Sequence, residues 1–396
     1  MSLSKIIREG IGQDSWIRRM MDEGIKLKKQ YGDDKVFDLT AGNPTVPPPP
    51  EFYRELRKLV ENPVPGMHRY MQANGYPETR AAVAEQLVKD SGLKFTANDV
   101  VMTCGSAAAA NVVLKTIVNP GEEVIIFVPY FVEYPGYIEN HGGVVKMLPC
   151  DDDFLPRLDA LESGIGPQTR ALILNSPNNP TGVVYGDSSL KQLAELLRKK
   201  EAQYGTEIFL ISDEPYRKII YDGLKFPFPS RYYSRSMIIT SHSKDLSLPG
   251  ERIGYIAISP ECPNREELVA GFTFCNRTLG FVNAPALMQR VVARLQALTT
   301  SVADYQRKRD FLCDNLSKMG YSLKKPQGTF YLFPKSPVAD EIPFVMELKD
   351  LKVLVVPGTG FGLPGYFRIS YCMDDRVLEG SLDGFRKAIQ KFKKGG

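Results

Sequence analysis

Residues that build metal and disulfide sites are scarce in this sequence. Its three histidines, His68, His141 and His242, stand far apart, and its six cysteines, at 104, 150, 262, 275, 313 and 372, form no close pairs. Zinc sites and disulfide frameworks need ligands at short, regular spacings, so neither is expected. No stretch approaches 18 uninterrupted apolar residues, and MSLSKIIREGIGQDSWIRRM at the start holds no apolar run of the secretory kind. The expectation is a cytoplasmic protein without membrane contact. Charge of one sign is scarce too: 50 Lys and Arg against 46 Asp and Glu leave +4, with no basic block, so nucleic acid is not an implied partner. GxxxxGK[ST], HExxH and GxSxG are all missing, which weakens nucleotide, zinc-protease and hydrolase readings.

What is present is an ordinary globular composition, 43% hydrophobic and 24% charged, over 396 residues, enough for two to three units. From about 99 to 260, short β-branched runs alternate with helical patterns: VVMTC, VIIFVPY, VVKMLP, ALILNSP, IFLISDE, MIITSHS and IGYIAIS. That alternation predicts an α/β layer with a mainly parallel seven-stranded sheet between helices. Leu190, Leu193, Ala194 and Leu197 mark one covering helix, stopped by Gly205. After about 285 the pattern predicts one long helix through Ala293, Tyr305 and Leu312 to Gly320, then strands FYLF, KVLVV and YFRIS, a smaller α+β domain. The expected boundaries are a large cofactor-binding domain over 50–285 and a small domain made of 1–49 and 286–396.

Lys244, in SHSKDLSLPGERIGY, sits just past a strand among groups that bind anions. A lysine there is either a solvated loop residue, as most are, or an amine that forms an imine with a carbonyl cofactor carrying a phosphate. Five predicted strands end in residues of this unusual kind: Gly105-Ser106, Phe131, Asn178-Asn179-Pro180-Thr181-Gly182, Asp213-Glu214-Pro215-Tyr216 and Lys244. Ligands of open α/β sheets bind at the carboxyl ends of strands, so a shared site is the economical reading. The turn Gly105-Ser106-Ala107, opening a helix, can cradle a phosphate, with Ser106, Ser241 and Arg252 adding donors. Asp213 against a heteroaromatic nitrogen favours its protonated form, Asn179 and Tyr216 can donate to a phenolate, and Phe131 can stack on the ring.

These residues resemble class I and II aminotransferases, the fold type I pyridoxal-phosphate enzymes of the aspartate aminotransferase superfamily. SHSKDLSLPGERIGY, NNPTG at 178–182, the Asp213 to Tyr216 spacing, Tyr70 in HRYMQANGYPETR and Arg368 in FRIS match in order, from about residue 35 to the end. The resemblance implies a pyridoxal 5'-phosphate-dependent transaminase working by a ping-pong mechanism on an L-amino acid and a 2-oxo acid. It makes Lys244 the imine-forming amine and proton shuttle and sets Asp213 on the pyridinium. Tyr216 and Asn179 go to the ring oxygen, and Ser106, Ala107, Ser241, Ser243 and Arg252 to the phosphate. Arg368 takes the substrate α-carboxylate, with Gly42-Asn43 as the loop that covers it. Tyr70 reaches the phosphate of a neighbouring subunit, which implies a homodimer with shared active sites.

Singly, each residue has an ordinary reading. Arg368 suits a surface, Asp213 and Asn178-Asn179-Pro180 suit turns, Ser106 is a good N-cap, Tyr216 and Phe131 suit a core, Tyr70 suits a partly buried surface, and Gly42-Asn43 is a turn. Their joint placement at strand ends favours the site. Gly358-Thr359-Gly360-Phe361-Gly362 imitates a dinucleotide loop, but no helix is expected after it. The substrate side chain stays open. In acidic-substrate relatives a second cation binds the distal carboxylate; one subgroup's lysine position is Ala107 here, and Arg277 lies near another subgroup's arginine. Two other functions stand beside transamination: a C–S β-lyase on the same fold, and a non-catalytic cofactor-binding regulator.

Overall fold

The structure is a computed structural model that describes residues 3, 7 and 16–394; the remainder of the N-terminal segment assigned to the small domain lies outside the described residues. Each of the seven β-branched runs forms a strand: β1 Val100–Thr103, β2 Glu123–Val128, β3 Val144–Pro149, β4 Thr169–Asn175, β5 Phe209–Asp213, β6 Ser236–Ser241 and β7 Gly254–Ile258. They make one sheet in the order β1-β7-β6-β5-β4-β2-β3. Only β7 pairs antiparallel with its neighbours, so the other six strands run one way and their carboxyl ends share one edge.

Every residue of β1, β5, β6 and β7 is buried, as a sheet covered on both faces requires. Successive residues feed opposite layers: Ile239 and Ile256 join one core with Val113 and Phe272, whereas Ile238 and Ala257 join another with Leu87 and Met288. Helix α1 (Ser106–Ile117) follows β1, and α2 (Asp187–Tyr204) buries Leu190, Leu193, Ala194 and Leu197 before stopping at left-handed Gly205.

One expectation fails after α3 (Arg265–Thr278). The single long helix is two, α4 (Ala286–Val292) and α5 (Val302–Met319), parted by a non-helical linker over 293–301. Ser301 restarts the helix as an N-cap whose hydroxyl accepts from the Asp304 amide, and the β-branched pair Thr299-Thr300 before it lowers the propensity to run through. KVLVV likewise divides: Val353–Leu354 pairs in parallel with Phe37–Asp38, while Val356–Pro357 joins Phe367–Ser370 and Tyr331–Leu332 in an antiparallel sheet. Leu39, Tyr305, Leu316, Phe344, Val353, Phe367 and, from α6 (Asp375–Lys394), Phe385 share one core, that of the smaller α+β unit. Gly358–Phe361 folds as a 3₁₀ turn. Among the described residues no helix is long and apolar enough to cross a membrane.

Candidate active site

At the end of β1, Gly105 adopts φ 88° and caps α1, so Ser106 is the first helical residue and not the N-cap that its residue type suggests. The positive φ is what glycine supplies there. Arg252, itself left-handed at φ 51°, folds back over this turn. Its Nη2 donates to the Cys104 carbonyl at 3.3 Å and its Nη1 to that of Pro249 at 2.9 Å. A Cβ added at Gly105 would stand 2.7 Å from Arg252 Nη2. Gly254, paired with Ser241 across β6 and β7, would put a Cβ 3.0 Å from the Gly105 Cα, so turn, strand end and arginine meet closely. The half-buried head of α1, with Ser106 and Ala107, thus lies beside buried Ser241 and the guanidinium. Exposed amides, hydroxyls and a fixed cation make an anion cradle. Ser243 is buried in the next turn.

The second corner is built on β5. Asp213 is buried, its Oδ2 accepts from the Tyr134 hydroxyl at 2.5 Å, and its Oδ1 is buried without a hydrogen-bond partner among the described residues. Burial raises the carboxyl to about 7, against the pull of the Tyr134 bond. An orphaned carboxylate oxygen at a strand end calls for a cation or donor from outside the chain. Phe131, half-buried, sets its ring edge-on to Tyr134 at 5.5 Å.

Between these corners a run of contacts ties the remaining groups together. Lys244 Nζ donates to the Gly42 carbonyl at 2.6 Å. A Cβ on Gly42 would fall 1.8 Å from Tyr331 Oη, and that hydroxyl lies 3.1 Å from Tyr216 Oη. Arg368 stacks over the Tyr331 ring at 4.4 Å and donates from Nη1 to Asn179 Oδ1 at 3.0 Å and from Nη2 to the Thr40 carbonyl. Asn175 accepts from the Asn179 amide at 2.7 Å and donates to the Asp213 carbonyl at 3.0 Å. Turn-making falls to Asn178, whose Oδ1 accepts from the Thr181 hydroxyl at 2.8 Å, so Asn179 is free to reach Arg368.

Arg368 is only 2% exposed, which removes the surface reading, and burial draws its guanidinium below the usual arginine range. Its Nε is buried and has no partner among the described residues. Lys244, half-buried, is lowered to about 8, first by burial and further by Arg368 and Arg252, with Cys372 opposing.

Two expected residues, Tyr70 and Asn43, stand apart from this group, as does Arg277, whose role the sequence leaves open. Tyr70 is 87% exposed, Asn43 is exposed beside Gly42, and Arg277 is exposed with its guanidinium 5.7 Å from the Phe274 ring. Conversely, Tyr134, Asn175, Tyr331 and Cys372 belong to the group but are absent from the sequence-based set. Tyr134 follows Phe131 by three residues, a helical spacing that could have flagged it; Tyr331 reads as a strand residue of FYLF.

Comparison with known proteins shows the family. The model of the family "Aminotransferase class I and II" matches residues 34–385. The aspartate/prephenate aminotransferase of Thermus thermophilus is 32% identical over 383 residues, covering 93% of this chain and 94% of that one. A crystal structure of an amino transferase from Eubacterium rectale superposes with TM-score 0.95 at 38% identity over 99% of both chains. Aspartate aminotransferase from Thermus thermophilus with maleate gives 0.86 at 27% identity, over 98% of this chain and all of that one. The family model spans residues 34–385, most of the chain, and the chain belongs to the class I and II aminotransferases.

Proposed function

We propose that this aminotransferase uses pyridoxal 5'-phosphate to move an amino group between an L-amino acid and a 2-oxo acid, with Lys244, Asp213 and Arg368 as its central groups. The observation that carries the reading is the unpartnered Oδ1 of buried Asp213, in a site whose opposite corner is an anion cradle. The residues fit that cofactor: Asp213 would hold its ring nitrogen, Tyr216 and Asn179 its ring oxygen, Phe131 its face, and Ser106, Ala107, Ser241, Ser243 and Arg252 its phosphate. When bound, the cofactor supplies a carbonyl that condenses with amines and a protonated ring that accepts electrons released at the substrate α-carbon.

The chain's own groups do the rest. Arg368, buried and stacked on Tyr331, offers its fork to an α-carboxylate without having to be desolvated at each turnover. Lys244 Nζ, lowered to about 8, is neutral in roughly a tenth of molecules at pH 7, far more than a free lysine, and can take and return a proton there. Gly42 covers the site through its carbonyl contact with Lys244.

A Gly42→Ala variant should therefore push Tyr331 or the 41–44 loop away, and a displacement of about 1 Å at a site of this kind costs roughly 10²-fold in kcat/KM. Steady-state kinetics of the folded variant checks this; an unchanged kcat/KM would show that the loop does not close on Tyr331.

Tyr70 and Arg277 lie on adjoining segments, since Asn276 Nδ2 donates to the Ala73 carbonyl at 2.8 Å, and Phe274 beside them is 56% exposed. This supports a homodimer joined on that face, with Tyr70 offered to the partner's site and Arg277 available near a distal carboxylate. The relatives' names make aspartate the first donor to test. Purified holoenzyme assayed with aspartate, glutamate, alanine and aromatic donors against 2-oxoglutarate, pyruvate and prephenate should form a new amino acid with every productive pair. Pyruvate and ammonia released without an oxo-acid acceptor would overturn the reading in favour of the lyase, and cofactor bound without turnover would favour the regulator. The domain division at 50–285 is likewise our proposal, supported at its N-terminal side by the pairing of Phe37–Asp38 with Val353–Leu354, while α4, just past 285, packs on the large sheet through Met288 and Val291.

A further inference from the structure

Lys244 is carried by the four-residue helix His242–Asp245, a single turn. One isolated turn does not hold its own shape, because fixing its dihedrals costs more than its few hydrogen bonds return. What fixes it is a second, buried polar cluster that takes no part in the site described above. His242 and Asp245, its first and last residues, are buried, and His242 Nδ1 lies 3.3 and 3.2 Å from the two carboxylate oxygens of Asp245. Lys218, two residues beyond Tyr216, brings Nζ to 3.3 Å from Asp245 Oδ2. The same ammonium donates to the carbonyls of Gln296 and, at 3.1 Å, Leu298. The Thr300 amide donates to the Asp245 carbonyl at 2.7 Å. Gln296 Nε2 donates to the Val292 carbonyl at 2.9 Å and faces His242 Nε2 at 3.2 Å.

These contacts determine the proton on His242. The Val292 carbonyl can only accept, so the nitrogen of the Gln296 amide must face it, and the second N–H of that amide points at His242 Nε2. Nε2 then accepts, the ring proton sits on Nδ1, and it is donated to Asp245. His242 thus bridges a linker amide and a carboxylate. Among the described residues the other charged or titratable groups set against this cluster are Arg217, which donates to Tyr255 Oη at 2.6 Å and lies 3.4 Å from Glu214, Tyr255 itself, whose ring centre is 6.1 Å from that of His242, and Asp90, whose carboxylate acts on Lys218.

Residues 296, 298 and 300 all belong to the linker that parts α4 from α5. We propose that Lys218, His242, Asp245 and Gln296 are positioning residues for Lys244, locking the turn that aims its amine to the linker that leads into the smaller unit. A movement of α5 relative to the large sheet is thereby passed to Lys244 through Gln296 and Thr300, not only through contacts inside the site. The cluster joins both ends of the Lys244 turn to one linker, with Lys218, from the segment that carries Tyr216, bonded to both. The inference rests on Lys244 being the amine that serves the cofactor.

Gln296→Leu and Asp245→Asn holoenzymes test it. Each should shift the pH midpoint of the bound cofactor's visible absorbance by about half a unit or more, the scale on which a changed local environment registers. Each should lower kcat about tenfold with KM within twofold, the pattern of an interaction made in the transition state. Hydrogen exchange over 241–248 should quicken in Gln296→Leu, a substitution about 50 residues away in sequence. If Asp245→Asn does not fold, Gln296→Leu decides alone. Wild-type midpoint, kcat and exchange in a variant that merely melts at a lower temperature would overturn the positioning role while leaving the proposed function standing. A wild-type protein that acquires no visible band with added pyridoxal phosphate would instead overturn the function itself and this inference with it.

Discussion

Lys244→Ala should lose transaminase activity by at least ~10⁴-fold, because the proposed function asks one amine for both the covalent attachment and the proton transfer, and a positioned proton-transfer group alone is worth up to about that much. The loss should come without unfolding. Burial lowers the Lys244 ammonium from 10.5 to about 8, which means the folded chain binds this proton less well than the unfolded chain. The folded state is therefore penalised progressively as pH falls from 10.5 through about 8, and by a constant amount below that. Removing the amine removes the penalty, so at pH 7 the cofactor-free variant should melt no lower than cofactor-free wild type, and the difference should vanish above pH 10.5. Paired thermal melts across that range and a coupled transaminase assay check both halves. A variant that still transaminates at the wild-type rate would end the assignment.

The large sheet was legible because most of its strands are buried on both faces and so read as continuous β-branched runs, although edge strand β3 is largely exposed. The antiparallel insertion of β7 was not, since IGYIAIS carries no mark of direction. Lys244, Asp213 and Asn179 were legible because polar groups ending apolar runs are conspicuous, and Arg368 because FRIS brings an arginine into a strand. Their partners were hidden for the opposite reason. Tyr134 and Tyr331 are aromatic residues in apolar surroundings, where a core position is the ordinary reading, and only packing shows that their hydroxyls meet Asp213 and Tyr216. The break over 293–301 was hidden because Ala293, Leu295 and Leu298 keep apolar residues at near-helical spacing. The carbonyls they leave without helical partners are in part what Lys218 binds.

Asp213→Asn should cost transamination about 10²- to 10³-fold, the range found when one preorganised electrostatic partner is removed from a buried site. The exchange does more than delete a charge. Tyr134 donates to Oδ2, so in the asparagine variant the amide oxygen must take that place to accept the same hydroxyl. The amide nitrogen then occupies the position of Oδ1 and presents two N–H donors where wild type presents an unpartnered acceptor. A protonated ring nitrogen facing that position would meet donor against donor, so the variant favours the unprotonated ring, which is the poorer electron sink. Stability should move the other way. Burial raises the Asp213 carboxyl from 3.8 to about 7, so the folded cofactor-free chain bears a cost for ionising it that grows as pH rises from 3.8 and is complete above about 7. At pH 8 cofactor-free Asp213→Asn should accordingly melt at or above the wild-type temperature while binding pyridoxal phosphate more weakly by absorbance titration. If the variant instead bound and turned over within twofold of wild type, the carboxylate would be a support for Tyr134 and not the partner of a cationic ring.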